Sequence, residues 1–478
     1  MFWLGFCGCK NMVKKYAALV IAVVISQMIM AQDIKLVKGK VMDSIVVNDS
    51  IAEDFSLYLP NDFEAKTTWP LLMVTDLKKN ASQQLRQLAP IAESKGYILV
   101  APNSLSSKAA IADNILEVKN ALETVVNTLP INRSAIYVAG FGEGGRFASL
   151  VPVLIKDFKG VLGIHTSLAN VEVLSSKNNY HYVGLTSREN YNYATIVEEE
   201  KLLNGYRIPN NFIFYDGADG ELKMDDVARA LSYFELLAMA KGYKARDTAK
   251  AIAYYKKDEM AFRSEMSQQN YLMADRILQE MQSLYRPFMN VDSLKRLQRD
   301  LRKISTYRSQ KRQFESLRFN ENLKREDFAY YLEEDVLTYN YNNLGWWLFK
   351  MNELDKQIQG QDKLERQMAL RLKGYVNALA DYQIDVLTLS DSPDEEALVI
   401  TYMIKTIIEP ENAQNYLNVV SISAKNEDYG TAIYYLEELL KIGYKDKQAI
   451  YNVEHTALLK IMPEFNALLE KYLGESRY

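Results

Sequence analysis

Two hydrophobic patterns divide the chain near residue 242. Before that point, short apolar runs alternate with stretches whose apolar residues lie three or four positions apart, as in residues 113–128. The first pattern is typical of buried strands and the second of helices. The runs span residues 71–74, 98–101, 135–139, 160–164, 182–185 and 212–215. This alternation predicts an α/β domain over residues 34–242, with a mainly parallel, doubly wound sheet covered by helices on both faces.

The first strands of this domain have a different pattern. Residues 41–47 and 55–59 alternate apolar and polar side chains and are rich in β-branched residues. This predicts an antiparallel start to the sheet. In open sheets of this class, ligands bind outside the carboxyl ends of the parallel strands. Candidate chemistry is therefore expected in the loops that follow those strands.

From residue 243 onward nearly every stretch has helical spacing, which predicts an all-helical region. We divide it into a helical domain over residues 243–410 and a helix pair with a terminal cap over residues 411–478. Within it, Ala432 suits the small position of a second helix, and Leu436 and Leu439 its inward face. This segment resembles one tetratricopeptide-type helix pair. The resemblance implies a protein or peptide partner in a groove, or alternatively helices that pack on the first domain.

The amino-terminal 31 residues read as an export signal. Lys14 and Lys15 precede an apolar run over residues 16–25, and Ala31 provides a small-residue exit. The run is shorter than the roughly 20 residues that span a bilayer, which leaves an anchoring helix as the weaker alternative. We therefore predict a cleaved signal peptide with Met12 as the true start, and an exported protein of the periplasm, cell envelope or medium. Contact with a membrane is expected only through this segment, if it is uncleaved.

Composition removes several classes of function. With 48% hydrophobic and 25% charged residues, the 478-residue chain has the composition of a folded protein. The cysteines, Cys7 and Cys9, fall before the predicted mature start, and the histidines, His165, His181 and His455, lie far apart. We therefore expect no metal site and no cofactor. Removal of the signal takes away three lysines and no acid, so the net charge changes from −4 to −7, which speaks against nucleic-acid binding.

A glycine-rich turn follows the run over residues 135–139. It reads Gly140-Phe141-Gly142-Glu143-Gly144-Gly145 and leads into a helix. The turn resembles the G-x-S-x-G elbow of the α/β-hydrolase superfamily, particularly exported esterases related to dienelactone hydrolases. Residues 57–60, 69–74 and 95–102 resemble the entry strands of that superfamily, and the likeness covers about residues 55–235. It implies an α/β-hydrolase fold.

The chain departs from that superfamily at each position that its chemistry needs. Gly142 stands where the nucleophilic serine is expected, and Thr75-Asp76 stands where a His-Gly pair usually builds the oxyanion loop. Near the expected acid the chain has Glu189, and the expected histidine segment holds Ala218 and Asp219 instead. These departures predict a degenerate catalytic site; they leave enzymatic activity an open question and favour a protein that is not an enzyme.

A ligand could still bind at the elbow. The backbone N–H groups of Glu143 and Gly144 begin a helix beside Gly142, an arrangement suited to a small anion. Asp76 and His165 complete the candidate ligand-binding set. The leading hypothesis is therefore non-catalytic binding of a ligand or a protein in the cell envelope.

Two other functions remain open. In the first, His165 acts as a displaced base, or Glu143, Glu189 and Asp219 converge as acid and base, in an active esterase- or peptidase-type hydrolase. His165 could equally fill the strand end, and the acids could be solvated; His181, which opens a strand, is expected to be structural. In the second, the domain is a structural scaffold with a filled pocket.

Residues 295–325 form a basic run with eleven Lys or Arg against three acids. Such a run could dock on anionic lipid or polysaccharide. Alternatively, it could be a solvated helix face paired with acids such as Glu333, Glu334 and Asp335.

Overall fold

The computed structural model describes residues 36–48, 51–390 and 392–474. The predicted signal peptide and both cysteines lie outside these residues. In the described part of the chain, no helix combines the length and the apolar character that a membrane crossing requires.

Eight strands form one sheet in the order β1-β2-β4-β3-β5-β6-β7-β8. Their bounds are β1 Val41–Asn48, β2 Ile51–Tyr58, β3 Trp69–Thr75, β4 Ile98–Pro102, β5 Ile131–Phe141, β6 Gly160–Ile164, β7 His181–Ser187 and β8 Asn210–Tyr215. β2 pairs antiparallel with both β1 and β4. β3 runs parallel to β4, and β5 to β8 run parallel in sequence. The predicted antiparallel start and mainly parallel sheet are therefore confirmed.

Helices connect the strands and cover the sheet. They are α1 Ala81–Lys95, α2 Ile111–Thr128, α3 Gly142–Ala148, α4 Val151–Leu154, α5 Tyr193–Gly205 and α6 Met224–Ala240. Every residue of β4, β6 and β7 is buried. Because successive side chains of a strand point to opposite faces, continuous burial means that both faces are covered.

The rest of the described chain is helical, as the spacing predicts. It comprises α7 Thr248–Ser267, α8 Tyr271–Tyr285, α9 Asp292–Leu301, α10 Ser305–Thr338, a 3₁₀ turn Tyr341–Asn343, α11 Leu344–Ile358, α12 Lys363–Thr388, α13 Glu395–Ile408, α14 Ala413–Lys425, α15 Tyr429–Lys441, α16 Lys447–Tyr451, α17 Ala457–Lys460 and α18 Pro463–Leu473. Asp or Asn side chains accept a first-turn N–H at the starts of α7, α12, α13, α14, α15 and α16. Such caps satisfy N–H groups that a helix end otherwise leaves unbonded.

α14 and α15 form the helix pair expected near the carboxyl end. Asp428 caps α15 by accepting the N–H of Thr431. Ala432, Leu436 and Leu439 are fully buried. These are the positions that the tetratricopeptide resemblance assigns to the interior, and the resemblance itself stays a prediction.

The chain divides into two compact units. The first contains the described residues up to Val74 together with Lys78–Ile131. The second contains Thr75–Leu77 and the chain from Asn132 onward, so β6 to β8 and the helices from α7 onward belong to the same unit. The domain boundaries predicted at residues 242 and 410 stay predictions.

Candidate functional site

The turn between β5 and α3 has an unusual backbone at its centre. Gly142 has a φ of +51°, in the left-handed region that non-glycine residues seldom adopt. A Cβ built on Gly142 would meet nothing within 4 Å. A side chain at this position would therefore project into open space from a sharp strand-to-helix turn, which is the geometry of a nucleophile elbow.

The neighbouring glycines are required for a different reason. A Cβ on Gly144 would lie 2.2 Å from the backbone oxygen of Thr75, and one on Gly140 would lie 2.4 Å from the carbonyl carbon of Gly144. A Cβ on Gly145 would lie 2.5 Å from the carbonyl oxygen of Gly140. The hydroxyl of Thr75 is 2.8 Å from the oxygen of Gly144, to which it donates. The segment at Thr75 and the start of α3 are thus in direct backbone contact.

A cleft of about 610 Å³ opens beside the elbow. Gly142 and Glu143 line it at one side, and the loop over residues 166–172, after β6, lines another. The opposite wall comes from α12, through Tyr375, Ala378, Leu379 and Tyr382. These residues repeat at helical spacing, so one face of α12 is turned to the cleft.

Two arginines supply positive charge to this cleft. Arg146 is exposed on α3. Arg325 on α10 donates to the carbonyl of Tyr191 at 3.0 Å, and its guanidinium lies 4.1 Å from the ring centre of Tyr375. Glu143 is exposed, so the cleft carries both signs of charge.

Glu199 is a site residue that the sequence analysis missed. It lies on α5, lines the elbow cleft, and accepts the N–H of Leu168 at 3.0 Å and 3.1 Å through its two oxygens. Burial raises the pKa of Glu199 to about 8, against the opposing effects of the Leu168 N–H and Arg146. The cleft therefore holds a carboxyl group that is mostly protonated at neutral pH. A signal existed in the sequence, because Glu199 lies three residues after Ile196 and four before Leu203 on the apolar stripe of its helix.

His165 follows β6 and has a φ of +53°. Its Nε2 is 2.8 Å from the hydroxyl of Tyr215, which itself donates to the carbonyl of Glu221. Because that hydroxyl has one proton, His165 donates from Nε2. Its Nδ1 is buried, has no hydrogen-bond partner among the described residues, and lies 3.9 Å from Asp219 Oδ1. Burial lowers the pKa of His165, with a smaller opposing effect of Asp219, so the ring is neutral near pH 7.

The other predicted site residues, Asp219, Ala218, Glu189 and Asp76, are not among those that line the elbow cleft. Asp219 accepts from Asn190 Nδ2 at 2.5 Å, and Ala218 lies in the same loop after β8. Glu189 lies 3.8 Å from Arg366, and burial raises its pKa. Asp76 is buried. Of the predicted ligand-binding set, Gly142 and Glu143 line the elbow cleft, whereas Asp76, Gly144 and His165 are not among its lining residues.

Charged residues at the ends of β7 and β8 bind the helical region. Asp216, directly after β8, lies 3.2 Å from Arg188, which follows β7. From α12, Lys363 and Gln367 donate to the same carboxylate at 2.7 Å and 2.8 Å. Burial alone would raise the pKa of Asp216, but these three partners outweigh it and lower the pKa. Asp216 is therefore ionised and joins two strand ends to one helix.

A second pair lies beside it. Arg371 on α12 donates to both oxygens of Glu321 on α10, at 2.8 Å and 2.5 Å, and both residues are buried. Arg371 also donates to the carbonyl of Arg188 at 2.7 Å and stacks over Tyr193. We call Arg188, Asp216, Glu321, Lys363 and Arg371 the strand-end network. Arg188 and Asp216 lie in the loops after β7 and β8, whereas Glu321, Lys363 and Arg371 come from helices α10 and α12.

No family model matches the chain, and no curated protein matches it. Among solved structures, the chain is similar to the fluorophosphonate-binding serine hydrolase FphF of Staphylococcus aureus, with 17% identity, 41% of this chain and 99% of that chain covered, and a TM-score of 0.35. It is also similar to esterase 2 of Thermogutta terrifontis (11% identity, 43% and 96% covered, TM-score 0.35) and to an esterase of the archaeon Pyrobaculum calidifontis (14% identity, 42% and 87% covered, TM-score 0.34). The mainly parallel sheet and its strand–elbow–helix turn are those of the α/β-hydrolase fold, and the fold class predicted from the sequence is confirmed.

Proposed function

We propose that this chain is an exported binding protein of the cell envelope, whose elbow cleft holds a ligand without hydrolysing it. The observation that carries the proposal is Gly142, which has the elbow backbone and open space where a nucleophile would project. Acyl transfer through a covalent intermediate needs a nucleophile, a base and an oxyanion site together. Glycine offers no nucleophilic atom.

The position of His165 supports the same proposal. His165 directs Nε2 to Tyr215 and is not among the residues that line the cleft. A general base must lie within hydrogen-bond reach of the proton that it takes, directly or through one water. A hydroxyl introduced at residue 142 would therefore have no histidine prepared to accept its proton.

The lining favours a small anion that carries an apolar body. Arg146 and Arg325 provide charge-assisted donors, and Leu168, Val171 and Leu379 provide apolar surface. A volume of about 610 Å³ lies in the range of small-molecule sites. The same open volume supports a binding role over a scaffold with a filled pocket.

The proposal is tested with the purified chain lacking residues 1–31. We expect no turnover of p-nitrophenyl esters from acetate to octanoate or of a peptide panel, and no labelling by a fluorophosphonate probe. Gly142→Ser should also fail to give an efficient esterase. Ester hydrolysis by the unaltered chain that disappears on changing Glu143 or His165 would overturn the proposal.

The active hydrolase remains the second candidate because two carboxyl groups share the cleft. Glu143 is exposed, whereas burial raises the pKa of Glu199 to about 8. Such a difference in burial suits one exposed carboxylate as base and one buried carboxylic acid as proton donor. This candidate predicts turnover that Glu199→Gln abolishes, while Glu172→Gln, at the edge of the same cleft, leaves it intact.

Export and a protein partner are further parts of the proposal. Export predicts that the protein recovered outside the cytoplasm begins at Gln32, which mass spectrometry of its amino-terminal peptide would measure. A peptide partner has a candidate location in a groove of about 600 Å³ at the carboxyl-terminal helices, lined in part by Tyr341, Met403 and Tyr434.

A further inference from the structure

A second cavity, distinct from the elbow cleft, lies among α5, α8 and α10. Its volume is about 650 Å³. We call it the basic cavity, because seven of its lining residues are cationic and three are acidic. The cations are Arg188, Lys201, Arg276, Arg302, Arg308, Lys311 and Arg318, and the acids are Glu200, Asp275 and Glu315. Four of these cations come from the basic run that the sequence analysis singled out.

Several of the cations are paired with carboxylates, some of which line the cavity and some of which lie behind its lining. Arg302 contacts Asp275 at 2.8 Å and 3.1 Å, and Arg276 contacts Glu200 and Glu280 at 2.5 Å and 2.7 Å. Lys201 and Arg318 share Glu198, at 2.8 Å and 3.0 Å. These pairs hold the wall in place, so they do not by themselves indicate a ligand.

Two cations at the cavity have weak carboxylate partners or none among the described residues. Arg308 donates to the backbone carbonyl of Lys303 and has no carboxylate partner among the described residues. Lys311 is 3.8 Å from Glu315, and both side chains are more than half exposed. Ion pairs in that setting contribute little free energy. Positive charge therefore remains available at the mouth of the cavity.

Buried donors also remain without acceptors. Arg188 is 2% exposed, and its Nε has no hydrogen-bond partner in the described chain. The Nε of Arg276 is also buried without a hydrogen-bond partner there. A buried N–H without an acceptor costs free energy, and a bound oxyanion would recover it only if the guanidinium turned toward the cavity. Both arginines line the basic cavity.

The floor of the cavity is aromatic. Tyr193 packs edge-to-face on Phe214, with ring centres 5.0 Å apart, and on Phe314 at 6.4 Å. Leu272 and Met273 extend this surface. A bare inorganic anion would leave it uncovered, so the chemistry favours a ligand with both an anionic group and an aromatic or other flat apolar body.

We propose that the basic cavity binds a small oxyanion, a carboxylate, phosphate or sulfonate, borne on an aromatic or apolar body. Guanidinium groups recognise planar and tetrahedral oxyanions through paired N–H donors. The volume suits one small molecule, so the site takes a monomeric ligand in preference to a polyanion. This site is independent of the function proposed for the elbow cleft.

A matched pair of fluorescent probes tests the proposal on the chain lacking residues 1–31. 8-Anilinonaphthalene-1-sulfonate carries the anion, and N-phenyl-1-naphthylamine has nearly the same body without it. We expect the sulfonate to bind and the Arg308→Ala, Lys311→Ala double variant to weaken that binding at least about tenfold. Binding of the neutral probe should change less than about twofold, because the aromatic floor is intact.

The control double variant is Lys295→Ala, Lys303→Ala. It removes the same charge from the same basic run, but these residues pair with Asp292 and Asp300 and do not line the cavity. It should leave sulfonate binding unchanged. An equal loss in the control would overturn the proposal, because the effect would then be general electrostatics. Displacement of the probe by heparin more effectively than by phenyl phosphate, or by inorganic phosphate as effectively as by phenyl phosphate, would also overturn it.

Discussion

The elbow turn and the strand-end network both lie at the carboxyl ends of the parallel strands, but their side chains differ in kind. The elbow has a left-handed Gly142 with close-packed glycines on either side, and its central residue carries no side chain. The loops after β7 and β8 carry several charged residues that contact helix α12: the Asp216 carboxylate accepts from Lys363, and the backbone carbonyl of Arg188 accepts from Arg371. One region has an open turn without a side chain at its centre, and the other is filled by ion pairs and hydrogen bonds to a helix.

This difference concerns which side chains at the strand ends are accessible. A carboxylate or imidazole at a strand end must be accessible to act on a substrate. Asp216 and Arg188 are instead engaged by Lys363 and Arg371 from the helical region. The comparison predicts that altering the network affects stability, and that altering Gly142 affects little beyond its own turn.

The largest effect is expected from breaking the buried pair. Arg371→Met should lower the free energy of unfolding by about 3–5 kcal/mol, because Glu321 would remain buried without a partner. Urea denaturation followed by circular dichroism would measure it. The combined Arg371→Met, Glu321→Leu variant should recover part of the loss, since the unpaired charge is removed. Lys295→Ala, which breaks an exposed pair, should cost less than about 0.5 kcal/mol. A loss as large as that of Arg371→Met would contradict the distinction between buried and exposed pairs.

The next effect is expected at the elbow backbone. Gly144→Ala should destabilise the protein by about 2–3 kcal/mol, because its Cβ would meet the backbone oxygen of Thr75, which cannot move aside like a flexible side chain. Thermal melting compared with the unaltered chain would measure the shift. A substitution without effect would mean that the close contact between Thr75 and α3 relaxes freely.

A third effect depends on pH through Glu199. Its pKa, about 8, lies above the unfolded value near 4.5, so the folded state binds more protons between those values. Stability from this group is therefore present at low pH and is lost as the pH rises, by up to about 1.4 kcal/mol per pH unit. Glu199→Gln should flatten the decline in melting temperature between pH 6 and pH 8. His181 has the opposite pH dependence. Burial lowers its pKa to about 3, so it lowers the stability of the fold only as the pH falls below about 6.5.

The smallest effect is expected at the elbow's centre. Gly142→Ala should cost only about 1 kcal/mol, from the left-handed backbone alone, because its Cβ meets nothing. The losses in the free energy of unfolding for Gly144→Ala and Gly142→Ala are measured in the same denaturation series. Their ratio shows how much of the need for glycine at the elbow comes from close packing and how much from the left-handed backbone. Equal losses at both positions would contradict the structure.

The sequence predicted the parallel strands well because each contains a short apolar run, and parallel strands buried on both faces need little else to be recognised. It also placed the elbow, since Gly142 follows β5 and begins a helix. The strand-end network could not be predicted. Arg371 and Glu321 are 50 positions apart, and nothing local selects that pairing among 57 basic and 61 acidic residues. The same limit applies to Asp335, which accepts from Asn340, Asn343 and Trp347.

Helix α12 contributes to both regions along one continuous rod. Its first turns carry Lys363, Gln367 and Arg371 to the strand ends, and its next turns carry Tyr375 and Leu379 to the elbow cleft. In an α-helix each residue advances about 1.5 Å and turns about 100°. The direction in which the cleft-lining side chains point around the helix axis is therefore fixed by the number of residues between Arg371 and Tyr375. One residue added there would rotate the wall by more than a quarter turn while the attachment at the strand ends stayed in place, so the length of this segment determines which side chains face the ligand.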